Sequence, residues 1–127
     1  VSSRINSTWG GNLVDMYRAK RIFEVIEQDN LVDNAEKMGA LLQDGLKKLQ
    51  SQYSGIISNA RGLGLFCAFD LQDSETRDRF INSLFEKGLF VLKCGCLTIR
   101  FRPPLTVSEE EIEKGLSILD ETLKEMQ

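Results

Sequence analysis

Histidine is absent from all 127 residues. That removes the commonest general base, the Ser-His-Asp and Cys-His arrangements, and most zinc sites. Cysteine is scarce, at Cys67, Cys94 and Cys96. An odd count without a secretory signal argues against a disulfide framework. Cys94-Gly95-Cys96 lacks the further thiol or imidazole ligands that four-fold metal coordination requires, so no metal is expected. The three cysteines read as small residues in or near strands. No apolar run is long enough to span a bilayer, and the start carries no signal-peptide pattern. The expectation is a cytoplasmic protein with no membrane partner. Charge of one sign is also lacking: the net charge is -3 with acids and bases interspersed. With no basic stripe to meet a phosphate backbone, nucleic acid is not expected as a partner. The first residue is Val1, and Val1-Ser2-Ser3-Arg4 has neither cap nor periodicity. This points to a processed chain or a piece of a longer one, entering from something upstream.

What is present suffices for one compact domain, which at this length buries roughly two thirds of its unfolded surface. From Leu13 the apolar residues fall at helical spacing through Ile26, with Asn12 as the expected N-cap and a break near Asp29-Asn30. A second helical stripe runs from Leu31 to Tyr53, with Gly39 and Gly45 inside it where another backbone comes close. Ile56–Ala60 and Leu63–Leu71 read as two strands meeting at a glycine turn or bulge around Arg61-Gly62-Leu63-Gly64. Asp73 or Ser74 caps a third helix that Gly88 stops. Leu89–Leu92 and Leu97–Phe101 are two further short strands, ended by Pro103-Pro104. Ser108 with Glu111 makes a capping box and Val107 with Ile112 a hydrophobic staple, so the run Glu109-Glu110-Glu111 sits at the positive end of a last helix. The order α-α-β-β-α-β-β-α predicts an α+β fold: a small, mainly antiparallel sheet with helices packed on one face, preceded by a linking helix.

Three places could carry chemistry. Asn6-Ser7-Thr8-Trp9-Gly10-Gly11-Asn12 puts hydroxyls and a double glycine ahead of a helix, an arrangement that can face a phosphate or serve only as a cap. In Thr98–Leu105, alternation sets Ile99 and Phe101 on one face and Arg100 and Arg102 on the other. Two arginines before a rigid Pro-Pro can hold a carboxylate in bidentate fashion, or can simply blunt an edge strand. Arg61-Gly62-Leu63-Gly64 has no helix after it and is read as structural.

These segments together resemble the class III pyridoxal-phosphate aminotransferases. Ser7-Thr8-Trp9-Gly10-Gly11-Asn12 is similar to that family's Ser-Thr-aromatic-Gly-Gly-Asn, Arg61-Gly62-Leu63-Gly64-Leu65 to its Arg-Gly-x-Gly-Leu, and Arg100–Leu105 to its Arg-Phe-x-Pro-Pro-Leu ending. The three occur in family order and span nearly the whole chain. The resemblance implies the small C-terminal domain of a fold-type I enzyme. Residues 1–12 would be an interface and phosphate-contact segment entering from the large domain, and residues 13–127 the small domain with its leading helix. It implies pyridoxal 5'-phosphate as cofactor, contacted across a homodimer interface by Thr8 with Ser7. It gives Arg100 the grip on a substrate carboxylate, with Asn6 beside that interface and Arg102 a lesser candidate. Ile5–Asn12 and Leu65–Phe69 look most like the branch that moves the terminal amino group of lysine to 2-oxoglutarate. The branch acting on 4-aminobutyrate comes next. The resemblance places the Schiff-base lysine and the aspartate that meets the pyridine nitrogen upstream, in a large domain of the same polypeptide. The chain alone is therefore expected to be inactive. A stand-alone module that kept the small-domain fold is the other reading.

Overall fold

A computed structural model describes residues 7–126. The chain divides into two compact units after Val32. In the first, helix α1 (Leu13–Gln28) is capped by Asn12, whose side chain accepts the Val14 N–H at 2.9 Å. It ends where Asn30 takes a left-handed conformation, φ 51°. None of its residues is buried, and Leu13, Met16, Tyr17, Ile22 and Phe23 all stand exposed.

The second unit is built on all but the first two residues of α2 (Leu31–Gln52) and on β1 (Ile57–Leu63), β2 (Phe66–Leu71), α3 (Ser74–Glu86), β3 (Leu92–Cys94), β4 (Thr98–Phe101) and α4 (Glu109–Lys124). The strands form one antiparallel sheet in the order β1-β2-β4-β3. Alternation along β2 and β4 sends Cys67, Phe69, Leu71, Ile99 and Phe101 to the inner face, where all are buried. There they meet Leu42, Leu46 and Leu49 of α2, Phe80 and Leu84 of α3, and Ile112, Leu119 and Leu123 of α4 in one core. Phe69 anchors it, with ring centroids 6.2 Å from Phe80 and 5.6 Å from Phe101. Burial of a side chain that size contributes roughly 2–3 kcal/mol. The α+β architecture expected from the pattern is the one observed.

Of the two glycines of α2, Gly39 meets another backbone as the pattern implied, whereas Gly45 meets a side chain. A Cβ on Gly39 would overlap the backbone of Gly64, and one on Gly45 would overlap the Leu116 side chain. The α4 start is also as expected: the Ser108 hydroxyl accepts the Glu111 N–H, and the Glu111 carboxylate accepts the Ser108 N–H at 2.8 Å. That backbone bond foremost, with one donated by the Ser108 hydroxyl at 3.1 Å, holds the Glu111 carboxyl below the ordinary glutamate range.

The strands differ from expectation in detail. β1 runs through Arg61-Gly62-Leu63, and the turn lies at Gly64-Leu65, with Gly64 at φ 51°. The irregularity falls earlier, between Ser58 and Arg61, where Asn59 sits at φ 54°. Asparagine tolerates that region because its short amide finds a local partner, here Asp70 at 2.7 Å. β3 begins at Leu92 and includes Cys94, which faces Thr98 across the hairpin. Leu89–Val91 is not strand: Val91 is buried in the core and Leu89 packs against it.

Candidate functional site

Ser7 and Thr8 share one exposed turn of the first unit. The Gly10 N–H donates to the Ser7 carbonyl and the Asn12 N–H to the Trp9 carbonyl, each at 3.2 Å. Gly11 closes the turn at φ 82°, a conformation that a side chain would strain. Two exposed hydroxyls just ahead of a helix N-terminus suit a phosphate in charge and in donor type. Asn6 lies outside the described residues.

Arg100 belongs to the second unit and to the opposite kind of surface, the outer face of the sheet. It lies on β4, facing Ala68 of β2 on one side and Leu92 of β3 on the other. Its Nε is buried without a hydrogen-bond partner, and its guanidinium carbon lies 5.9 Å from the centroid of the Phe66 ring. Arg100 borders a hollow of about 330 Å³ together with Arg61, Phe66, Ala68, Cys94 and Thr98. It also borders a hollow of about 350 Å³ at the strand ends, with Phe90, Leu92, Arg102 and Pro103. Arg102 follows the last residue of β4, is exposed, and does not line the first hollow. The two arginines thus share one hollow, and Arg100 alone of the pair borders the other.

The other charges on this face are already committed. Asp70 accepts from the Thr98 hydroxyl at 2.5 Å, from the Asn59 amide at 2.7 Å and from Arg61 at 3.1 Å. Partial burial pushes its carboxyl upward, but the bonds from Thr98, Asn59 and Arg61 together outweigh that and hold it below the usual aspartate range. Asp70 therefore stays ionised and occupied. Among the described residues Arg100 has no ion-pair partner. A partly buried, permanently charged fork with an unsatisfied N–H is equipped to take an anion from outside. Sequence reasoning singled out neither Asp70 nor Asn59, and gave Thr98 and Phe66 no role of their own within the segments that contain them. The one available signal was an aspartate at an outer-face position of an otherwise apolar strand.

A buried arginine went unnoticed as well. Arg77 of α3 is 4% exposed, pairs with Asp78 at 2.6 Å and donates to the Gly95 carbonyl at 2.9 Å. It fixes the β3–β4 hairpin to α3 and so helps set the frame in which Arg100 stands. The cysteines are free: Cys94 and Cys96 are exposed, and burial pushes the Cys67 thiol up to about 11. No lysine among the described residues is buried. None, therefore, has the desolvated setting that makes an amine a ready Schiff-base nucleophile. No helix among the described residues is long and apolar enough to cross a membrane. None of them form a His/Cys/Asp/Glu cluster that could hold a metal ion.

Comparison with known proteins extends this picture. A family model described as aminotransferase class-III matches residues 2–123. An L-lysine-epsilon aminotransferase of Amycolatopsis lactamdurans is 48% identical over 124 residues, which cover 97% of this chain and 28% of that protein. A mitochondrial 4-aminobutyrate aminotransferase of Sus scrofa is 34% identical over 120 residues, covering 94% of this chain and 24% of that one. Among solved structures, a lysine aminotransferase from M. tuberculosis superposes with a TM-score of 0.90 at 43% identity, covering all of this chain and 29% of its own. The chain thus spans less than a third of the length of these three relatives.

Proposed function

The chain belongs to the class-III aminotransferase family, and from that premise we propose that it is the C-terminal small domain, with its leading segment, of a cytoplasmic enzyme that moves the terminal amino group of lysine to 2-oxoglutarate. Arg100 carries this reading. It is an uncommitted guanidinium with a partnerless buried N–H beside a hollow, suited to the carboxylate that both the amino donor and the 2-oxo acid present. The lysine reading is supported by the 48% identity to a lysine-epsilon aminotransferase against 34% to a 4-aminobutyrate aminotransferase. The latter substrate is the alternative, favoured by the same arginine and by its own terminal amine.

Pyridoxal 5'-phosphate, when bound, supplies the electron-withdrawing system that amino-group transfer needs. The residues of this chain fit one end of it. Thr8, with Ser7 beside it, would donate to the phosphate of a cofactor held by the partner in a homodimer, and Asn6 would stand at the same interface. The attachment lysine belongs to a large domain of the same polypeptide, for which residues 1–12 are the entry segment and 13–127 the small domain that follows. Without it this chain is inactive by itself. Its own part is to hold the carboxylate still while chemistry proceeds elsewhere.

The test is made in the full-length polypeptide. Arg100→Ala should lower kcat/KM for carboxylate substrates on the order of 100-fold, as expected when a partly desolvated ion pair loses one member. The bound cofactor, read by its absorbance, should stay. Thr8→Ala should do the reverse, loosening the cofactor more than the substrates. Unchanged kcat/KM in Arg100→Ala would remove the carboxylate role. A comparison of lysine with 4-aminobutyrate as donor decides between the two substrates.

A further inference from the structure

Phe66 lies within Leu65–Phe69, a segment read only for its family likeness, yet its side chain is the one whose ring lies under the Arg100 guanidinium. We propose that Phe66 is a positioning residue for Arg100: its ring holds the guanidinium in place on the outer face without occupying the N–H donors that a carboxylate must use. This rests on the reading of Arg100 as the carboxylate grip.

The register explains how the contact arises. Ala68 is directly opposite Arg100, and its small side chain leaves the arginine stem unobstructed on that flank. Phe66 lies two residues along β2 on the same face, so the guanidinium reaches it diagonally. Alternative holds are absent for a physical reason. Asp70 is the acidic residue nearest in register on β2, two pairs away opposite Thr98, and its oxygens are taken by Thr98, Asn59 and Arg61. An aspartate left free there would attract Arg100 and compete with any incoming carboxylate. A ring face attracts the cation through its quadrupole and accepts no N–H in the plane of the fork. The side chain can then be held and still be unsatisfied, as its partnerless Nε shows. Phe66 is itself 56% exposed, so packing alone does not account for a large aromatic residue at this position.

The experiment uses the full-length holoenzyme with Phe66→Leu, Phe66→Tyr, Arg100→Ala and the Phe66→Leu/Arg100→Ala double variant. Phe66→Leu should raise KM for 2-oxoglutarate roughly three- to tenfold, the range of a cation–π contact, with kcat changed much less. Phe66→Tyr, which keeps the ring, should restore wild-type KM. In the Arg100→Ala background, Phe66→Leu should add nothing further, and an amine donor lacking a carboxylate should be processed equally by wild type and Phe66→Leu. The proposal is overturned if Arg100→Ala weakens 2-oxoglutarate while Phe66→Leu matches wild type. It is equally overturned if Phe66→Tyr is as impaired as Phe66→Leu, or if the carboxylate-free amine suffers equally. An Arg100→Ala enzyme with normal KM would instead remove the carboxylate reading underneath, and the positioning role with it.

Discussion

Arg100 and Asp70 stand two register pairs apart on the outer face and illustrate opposite fates of a charge in a sheet. Asp70 has three donors around it and 18% of its side chain exposed; Arg100 has an aromatic face and an empty donor. The depressed carboxyl of Asp70 has a consequence for pH. Its folded-state value lies below the unfolded one of about 3.9, so its contribution to stability is complete above that pH and is lost as pH falls through the folded value. Asp70→Asn is expected to cost roughly 1–3 kcal/mol at pH 7, since three donors lose a charged acceptor. The cost should shrink as the pH falls below about 3.9. Thermal unfolding of both forms at pH 7 and at pH 3 checks this, and an equal gap at both would show that the charge of Asp70 is immaterial. At this scale the sequence was legible where a residue type admits few roles. Arg100 could be named only through the family resemblance, since two arginines ahead of Pro-Pro suit a carboxylate grip and a blunted edge strand alike. Phe66, Asn59 and Asp70 could not, because their significance depends on which strand neighbours which, and a one-residue bulge decides that.

Helices were easier to read than strands. Caps and stripes are local, so α1, α3 and α4 begin where Asn12, Asp73 and Ser108 place them. Strand ends depend on partners far along the chain, and β3 accordingly starts at Leu92 rather than Leu89, where Arg100 becomes available to pair. The bulge in β1 had no signal beyond an asparagine. Gly39 shows a middle case: a glycine costly to a helix, whose reason is a backbone at another point in sequence. Gly39→Ala would raise helix propensity and yet should destabilise by about 1–3 kcal/mol, because its methyl meets the Gly64 backbone, which cannot rotate aside. Gly55→Ala, where nothing lies within 4 Å of the added carbon, is the control and should be nearly neutral. Chemical denaturation midpoints of the two variants make the comparison, and a stabilised Gly39→Ala would refute the close approach.

Taken as a whole, the chain keeps its core within the second unit, while α1 shows an apolar stripe with no residue buried. Removing residues 1–28 is therefore expected to leave the unfolding midpoint within about 3 °C while reducing the binding of a hydrophobic dye. A large drop in the midpoint would mean that the leading segment supports the core after all. The strand order has a further consequence, one of time. β4 is an interior strand, with β2 on one side and β3 on the other, so the peptide beneath Arg100 is tied from both flanks. Such a backbone opens only when neighbouring strands part together, a rare and slow event. If Arg100 takes a carboxylate as proposed, its seat is set before the ligand arrives and outlasts the ligand's stay.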